Sequence, residues 1–439
     1  MSSPRGWQAS PCLDSDDRAV SLQRLLDIRR DDARTLGESA VEAITRGGYQ
    51  ARSGRWVDWR EDVGRATAGK RSIRLGDPLP TRPEPLAADT TVQVCNETTL
   101  QAARRLGEQG LCPLALNLAN GVTPGGGFLK GARAQEESLC RASALYATLE
   151  GDPMYAFHRA RPAPDSSDWA ILSPGVPVFR DDAGAALEQP WRLDVLTCAA
   201  PYAPRVGQRR SGDLLGKRIH RVLAVAAAYG YRTLVLGAWG CGAFGNDPHR
   251  TAHDFRSALE GEFRRCFGHV VFAISDWSPE RRFLGPFRDA FAAEGSCRLE
   301  RFVAAQAPVY EEALSELLAG RKRGHWMWFV LPQLRGLGAS AMARQYGIAS
   351  LDEARAYLAH PVLGPRLRDC VAAIQRHRGT AIDAILGNVD ALKYRSCLTL
   401  FALASPSEPL FDEALQTFYG GERCPRTPSL LAQSDVSSG

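Results

Sequence analysis

The chain has 439 residues, 44% of them hydrophobic and 23% charged, with a formal net charge of +5 and a mean hydropathy of −0.24. That length exceeds one ordinary core, and the composition is that of a globular protein with no apolar run long enough to span a bilayer. The eleven cysteines form no CxxC pair or zinc-finger spacing, so reduced, mostly buried thiols, no bound metal and a cytoplasmic address are expected.

In chain order, residues 1–20 are rich in Ser, Pro and Asp and are expected to be disordered. Helical periodicity begins at Leu22, Leu25, Leu26 and Ile28, returns at Leu36, Ala40, Val41 and Ile44, and stops at Gly47-Gly48. Residues 70–90 read as a surface connection with little regular structure. Strands are then expected at 91–94, 114–118, 170–173, 176–179, 194–197, 233–237 and 270–274. Helices are expected at 100–106, 138–149, 214–229 and 249–263. Apolar strands alternating with helices predict an α/β fold, a three-layer sandwich. Beyond Phe291 only helical patterns remain, at 299–320, 339–346, 351–358, 366–377 and 410–419, so a separate all-α domain is expected over 297–432.

The first chemical signal follows the strand at 114–118. Asn117-Leu118-Ala119-Asn120 leads into Gly121-Val122-Thr123-Pro124 and then Gly125-Gly126-Gly127. Three glycines let backbone N–H groups converge on an anion. After seven residues, Gln135-Glu136-Glu137 opens an amphipathic helix. Acids in a first helical turn can merely complement the dipole, but beside such a loop they are candidates for chemistry. Gly126 to Gly131 has a Walker gap, yet Ala132-Arg133 stands where Lys-Ser/Thr is required, which excludes a P-loop. A second loop, Gly240-Cys241-Gly242-Ala243-Phe244-Gly245, formally matches GxGxxG. No acidic residue follows at the required distance, since Glu260 and Glu262 fall inside a helix, so a dinucleotide-binding reading is poor.

Taken together, these segments resemble the microbial-type poly(ADP-ribose) glycohydrolases, which are built on a macrodomain. The resemblance is carried by Gly-Gly-Gly, seven residues, Gln-Glu-Glu; by Val94-Cys95-Asn96-Glu97-Thr98-Thr99, Ser173-Pro174-Gly175-Val176-Pro177-Val178-Phe179-Arg180 and Ala199-Ala200-Pro201; and by Gly237-Ala238-Trp239-Gly240-Cys241-Gly242-Ala243-Phe244-Gly245-Asn246. It spans residues 21–292 and implies an α/β/α macrodomain with a mixed sheet and an N-terminal helical extension. The implied reaction is hydrolysis of ribose–ribose bonds in poly(ADP-ribose), releasing ADP-ribose and requiring no cofactor.

Glu137 would then be the general acid, with a raised pKa from burial beside Glu136. Two adjacent glutamates cannot flank a glycosidic bond as paired glycosidase carboxylates do, so Glu136 would hold ribose hydroxyls. Asn120 would bind the distal ribose, with Gly125, Gly126 and Gly127 beneath the diphosphate and Gly240, Gly242, Ala243 and Gly245 above it. Phe244 would pack on the distal ribose, Gln135 would support by hydrogen bonding, and Asn96 stands where many macrodomains keep an Asp for adenine. ADP-ribosylated macromolecules are the implied partners; neither a membrane nor sequence-specific nucleic-acid binding is indicated. Hydrolysis of mono-ADP-ribose from a base or side chain, and simple ADP-ribose reading, are the alternatives; a reader has no use for Glu137.

Residues 299–433 resemble a helical family without an assigned function. There His325, Trp326, Gln333, Lys393 and Arg395 could line a pocket, although aromatic stripes at such spacing, Trp326 and Trp328 included, are more often core.

Overall fold

A computed structural model describes residues 5–292, 299–338, 340–360 and 362–436. The chain divides into two compact units, Met1–Phe291 and Ala292–Gly439.

In the first unit, ten strands form: β1 (Trp7–Ala9), β2 (Gly48–Gln50), β3 (Trp56–Asp58), β4 (Arg71–Ile73), β5 (Thr90–Cys95), β6 (Pro113–Ala119), β7 (Ala170–Arg180), β8 (Ala186–Ala199), β9 (Thr233–Leu236) and β10 (His269–Ala273). Eight make one sheet in the order β1-β5-β10-β9-β6-β8-β7-β4, and β2 pairs with β3 separately. The run from β1 to β8 is parallel, whereas β7 is antiparallel to both β8 and β4. The central strands read as unbroken apolar runs because helices cover both faces. One face packs on helices Gln208–Ala228, Pro248–Glu260 and Leu284–Ala290 through Leu215, Ile219, Phe255 and Phe287. The other packs on helices Thr99–Glu108, Gln135–Ala142 and Leu145–Leu149 through Leu106, Leu139 and Leu145. The expected mixed α/β sandwich is therefore present. The N-terminal helices Asp16–Leu26 and Arg30–Arg46 form the expected extension, closed at Gly47 with φ +72°. A small core of Ala40, Tyr49, Trp59 and Phe179 holds the extension to the sandwich.

Four expectations change in this unit. Residues 5–20 are ordered, not disordered: Trp7 is 2% exposed and β1 adds a parallel edge to β5. Residues 1–4 lie outside the described residues. Residues 71–73, expected to be irregular, pair with β7 as the last strand of the sheet. The expected strands at 170–173 and 176–179 are one strand with a register shift between Ser173 and Val176. The expected helix at 138–149 starts at Gln135 and breaks at Ser143, which takes extended geometry (φ −144°, ψ 173°). The Ser143 hydroxyl donates to the Leu139 carbonyl and accepts from the Leu145 N–H, while the Ala144 N–H is drawn to Pro177 O of β7. Sheet pairing outcompetes helix propensity there.

The second unit is helical, with a core of its own around Phe302, Tyr357, Cys370, Tyr394 and Phe401. Its longest helix, Asn388–Ala404, is absent from the sequence expectation. The stretch Ser396–Ala402 is buried on every side, so it carries no amphipathic period to read. Trp326 is core, 2% exposed, and its indole donates to Glu316. Trp328, Gln333 and Lys393 share only a hollow of about 10 Å³, room for about one water. His325 is exposed, and Arg395 is spent on Glu422 and the carbonyls beside it. The five residues do not form one pocket.

None of the cores just described draws on residues from both units. A polypeptide ending at residue 296 is therefore expected to unfold thermally in one cooperative transition, read by calorimetry. Aggregation without a transition would contradict that independence.

Candidate active site

The site stands beyond the C-terminal ends of the parallel strands, where crossover connections leave a crevice in such sheets. A cleft of about 420 Å³ opens there, lined by Asn120, Gln135, Glu136 and Glu137 from the β6 side and by Gly240, Gly242, Ala243 and Phe244 from the loop after β9.

Gln135 fixes the helix that carries the acids. Its amide oxygen accepts the Leu118 N–H at 2.9 Å, and its nitrogen donates to Leu116 O at 2.8 Å and to the Thr99 hydroxyl at 3.1 Å. The side chain thus ties the first turn of that helix to the end of β6.

Glu136 is 3% exposed. One carboxylate oxygen accepts the Asn120 N–H at 2.7 Å and the other the Asn117 amide at 3.3 Å. Burial outweighs these donors, neighbouring Glu137 adds repulsion, and the Glu136 pKa is pushed up to about 8. Burial thus raises Glu136, the neighbour of the expected acid. Glu137, 8% exposed, accepts the Gly127 N–H through Oε1 at 2.9 Å. Its Oε2 has no hydrogen-bond partner among the described residues.

The glycine loop works differently from the expectation. Gly125, Gly126 and Gly127 do not line the cleft; positive φ at Gly125 (+68°) and Gly126 (+59°) turns the loop against the two carboxylates. Gly125 backs onto Phe128 and Cys140, and Gly126 onto Glu137 and Glu136. Asn120 lines the cleft: its side-chain oxygen accepts the N–H groups of Val122 and Thr123, and its amide nitrogen has no partner among the described residues. Phe244 is half-buried, its ring edge-on to Tyr202 at 5.8 Å and 87°. Gly245 turns the loop with φ +64° outside the cleft lining, and its carbonyl accepts from Gln208.

Asn96 is not in the cleft wall. It is 1% exposed, and its amide is consumed by Asp14 Oδ1, Asp276 O and the Asp276 N–H. It ties the end of β5 to the loop after β10. The lining also includes Thr98, quoted above only as part of the resemblance, which caps helix Thr99–Glu108 in a box with Gln101. Asp182, Ser275, Trp277 and Phe283 line it too; they come from a hairpin tip and a post-strand loop, with no local pattern to announce them. Among the described residues, no group of His, Cys, Asp or Glu could hold a metal ion, and no helix is long and apolar enough to cross a membrane.

The model of the microbial-type poly(ADP-ribose) glycohydrolase catalytic domain matches residues 37–181, and that of a protein family of unknown function, DUF1810, matches residues 296–431. Among solved structures, the poly(ADP-ribose) glycohydrolase from Thermomonospora curvata is 43% identical, with 60% of this chain and 100% of that chain covered and a TM-score of 0.55. The same enzyme bound to the inhibitor ADP-HPD matches with 43% identity over the same shares and a TM-score of 0.54. A conserved hypothetical protein from Mycobacterium tuberculosis is 54% identical, covering 30% of this chain and 96% of that one, with a TM-score of 0.30. No curated protein matches.

The raised Glu136 makes stability depend on pH. An acid with a folded pKa near 8 and an unfolded value near 4.5 binds its proton more tightly when folded. Its contribution favours the native state below pH 4.5 and is lost as pH rises towards 8, at up to ~1.4 kcal/mol per pH unit. Urea unfolding at pH 5.5 and 7.5 should show the wild type losing roughly 2 kcal/mol more than Glu136→Gln over that interval. Parallel pH profiles for the two proteins would contradict the assignment.

Proposed function

The chain belongs to the microbial-type poly(ADP-ribose) glycohydrolases through its N-terminal unit, and from that premise we propose that Glu137 is the acid with which its cleft cleaves the ribose–ribose bond. The observation that carries the proposal is the division of labour between the adjacent acids. Glu136 is bonded on both oxygens and buried, whereas Glu137 is held on one oxygen and keeps the other free.

Poly(ADP-ribose) is the substrate and ADP-ribose the product. The distal ribose lies against Asn120 and Phe244, with its anomeric carbon towards Glu137. Gly240, Gly242 and Ala243 present the backbone of the loop after β9 to the diphosphate. Glu136 holds the ribose hydroxyls. Glu137, as the general acid, gives a proton to the leaving ribose oxygen as the C–O bond breaks. The positive charge developing on the ribose is offset by the carboxylate left behind; water then adds to the oxocarbenium-like centre and its proton returns to that carboxylate, restoring the acid. Asn120 Nδ2 and the fixed loop orient the sugar without having to reorganise in the transition state. A cytoplasmic address belongs to the same proposal, in keeping with free thiols at Cys95, Cys140 and Cys198.

Glu137→Gln keeps the hydrogen bond to Gly127 but has no acidic proton. It is expected to lower turnover of poly(ADP-ribose) by at least ~100-fold while ADP-ribose affinity, read by calorimetry, stays within a few-fold. Wild-type turnover by this variant would remove Glu137 from the acid role.

A further inference from the structure

The cleft continues past its reacting end, and its lining follows the sheet order. Asn120 stands beyond β6, Gly240–Phe244 beyond β9, Ile274, Ser275 and Trp277 beyond β10, and Thr98 beyond β5. Three interstrand steps of ~4.8 Å separate the first group from the last. A nucleoside diphosphate sugar whose anomeric carbon meets Glu137 and whose diphosphate lies along the β9 loop must place its base at the β10–β5 end. The wall there includes Trp277, 41% exposed, and Phe283, a flat apolar surface suited to a base.

Among the described residues, one carboxyl in the lining of this end comes from elsewhere in the fold. The β7–β8 hairpin extends past the sheet and is folded back over helix Gln135–Ala142. Ser143 bridges to Val178, and the Arg180 guanidinium donates to the carbonyls of Leu36 and Arg141 and to the Ser39 hydroxyl. The hairpin tip is thereby carried to Thr98, whose hydroxyl donates to Asp182 Oδ2 at 2.8 Å. Asp182 lines the cleft; its Oδ1 has no hydrogen-bond partner, and no cation pairs with the carboxyl, among the described residues. Burial, with some repulsion from Asp181, pushes its pKa up to about 6. A shielded carboxyl without a counter-charge is costly for the empty protein. The unused oxygen is matched by a donor that arrives with the ligand.

We propose that Asp182 accepts a hydrogen bond from the exocyclic amine of the nucleobase and makes this cleft select adenine over hypoxanthine. The proposal rests on the glycohydrolase reading above and adds a specificity-determining residue to it. Asn96 cannot serve in this role because its amide is spent on the Asp276 loop. The oxo group of hypoxanthine presents an acceptor to Asp182 instead of a donor, so the two bases differ in the sign of this one contact.

The test is calorimetric binding of ADP-ribose and of its deaminated analogue, inosine diphosphate ribose, to the full-length wild type, Asp182→Ala and Asp182→Asn. The wild type is expected to prefer ADP-ribose by at least ~10-fold, the size of one charge-assisted hydrogen bond. In Asp182→Ala the ratio is expected to fall to about 2-fold or less, through weaker ADP-ribose binding with the inosine analogue little changed. Asp182→Asn is close in shape, can still accept from Thr98, and can face either base, so it must lower the ratio too; this holds the proposal to account if the alanine variant does not fold. Equal weakening of both ligands would assign the contact to a ribose hydroxyl or to fold support and overturn the proposal, as would an unchanged ratio in Asp182→Asn. Wild-type protein that binds both ligands equally defeats this proposal alone; wild-type protein that binds neither defeats the glycohydrolase reading with it.

Discussion

Gly126 lies against the carboxylates of Glu136 and Glu137 with no room for a side chain between them. A Cβ on Gly126 would sit 2.4 Å from Glu137 Oε1 and 3.0 Å from Glu136 Oε2, and the residue's φ of +59° disfavours any other amino acid. This close approach lets the next N–H, of Gly127, reach Glu137. It also brings the loop after β6 against the first turn of helix Gln135–Ala142, where Asn120 N–H meets Glu136. The cleft's shape, the difference between the two acids and the exposure of Asn120 all follow from that contact.

Packing two acids side by side at under one-tenth exposure is expensive, and the fold meets the cost locally. The positive end of the helix dipole and two loop N–H groups act on the carboxylates. Asn117 adds a third donor from within β6. The compensation is incomplete at Glu136, where burial still prevails and holds the pKa near 8. Burial therefore favours the protonated form of Glu136. The strain thus lies on the functional axis, as expected when local consistency is given up at a site.

The sequence made the sandwich and the acid-bearing wall of the cleft legible for a common reason. Apolar strands and a glycine-spaced acid motif are local, so β5, β6, β9 and β10 and the acids at 136 and 137 could be read from short windows. What sequence reading missed depends on distant pairing. Asp182 reaches the cleft only because a hairpin folds back over a helix, and Trp277 because Asn96 and Asp276 shape a loop 180 positions from β5. Asn96 was placed at the ligand by its position in the resemblance, whereas its amide is spent on Asp14 and Asp276. Order in residues 5–20 depends on Trp7 packing against Phe291, at the other end of the unit. Helix Asn388–Ala404 was missed because core on all sides erases the period by which helices are read.

The central claim is that this cleft breaks the ribose–ribose bond and leaves the diphosphate intact. Chromatography of the products after the full-length protein is incubated with purified poly(ADP-ribose) tests it directly. ADP-ribose, increasing with time, is the predicted product. Release of AMP or phosphoribosyl-AMP would mean that the diphosphate is cut, and together with the absence of ADP-ribose it would contradict the account.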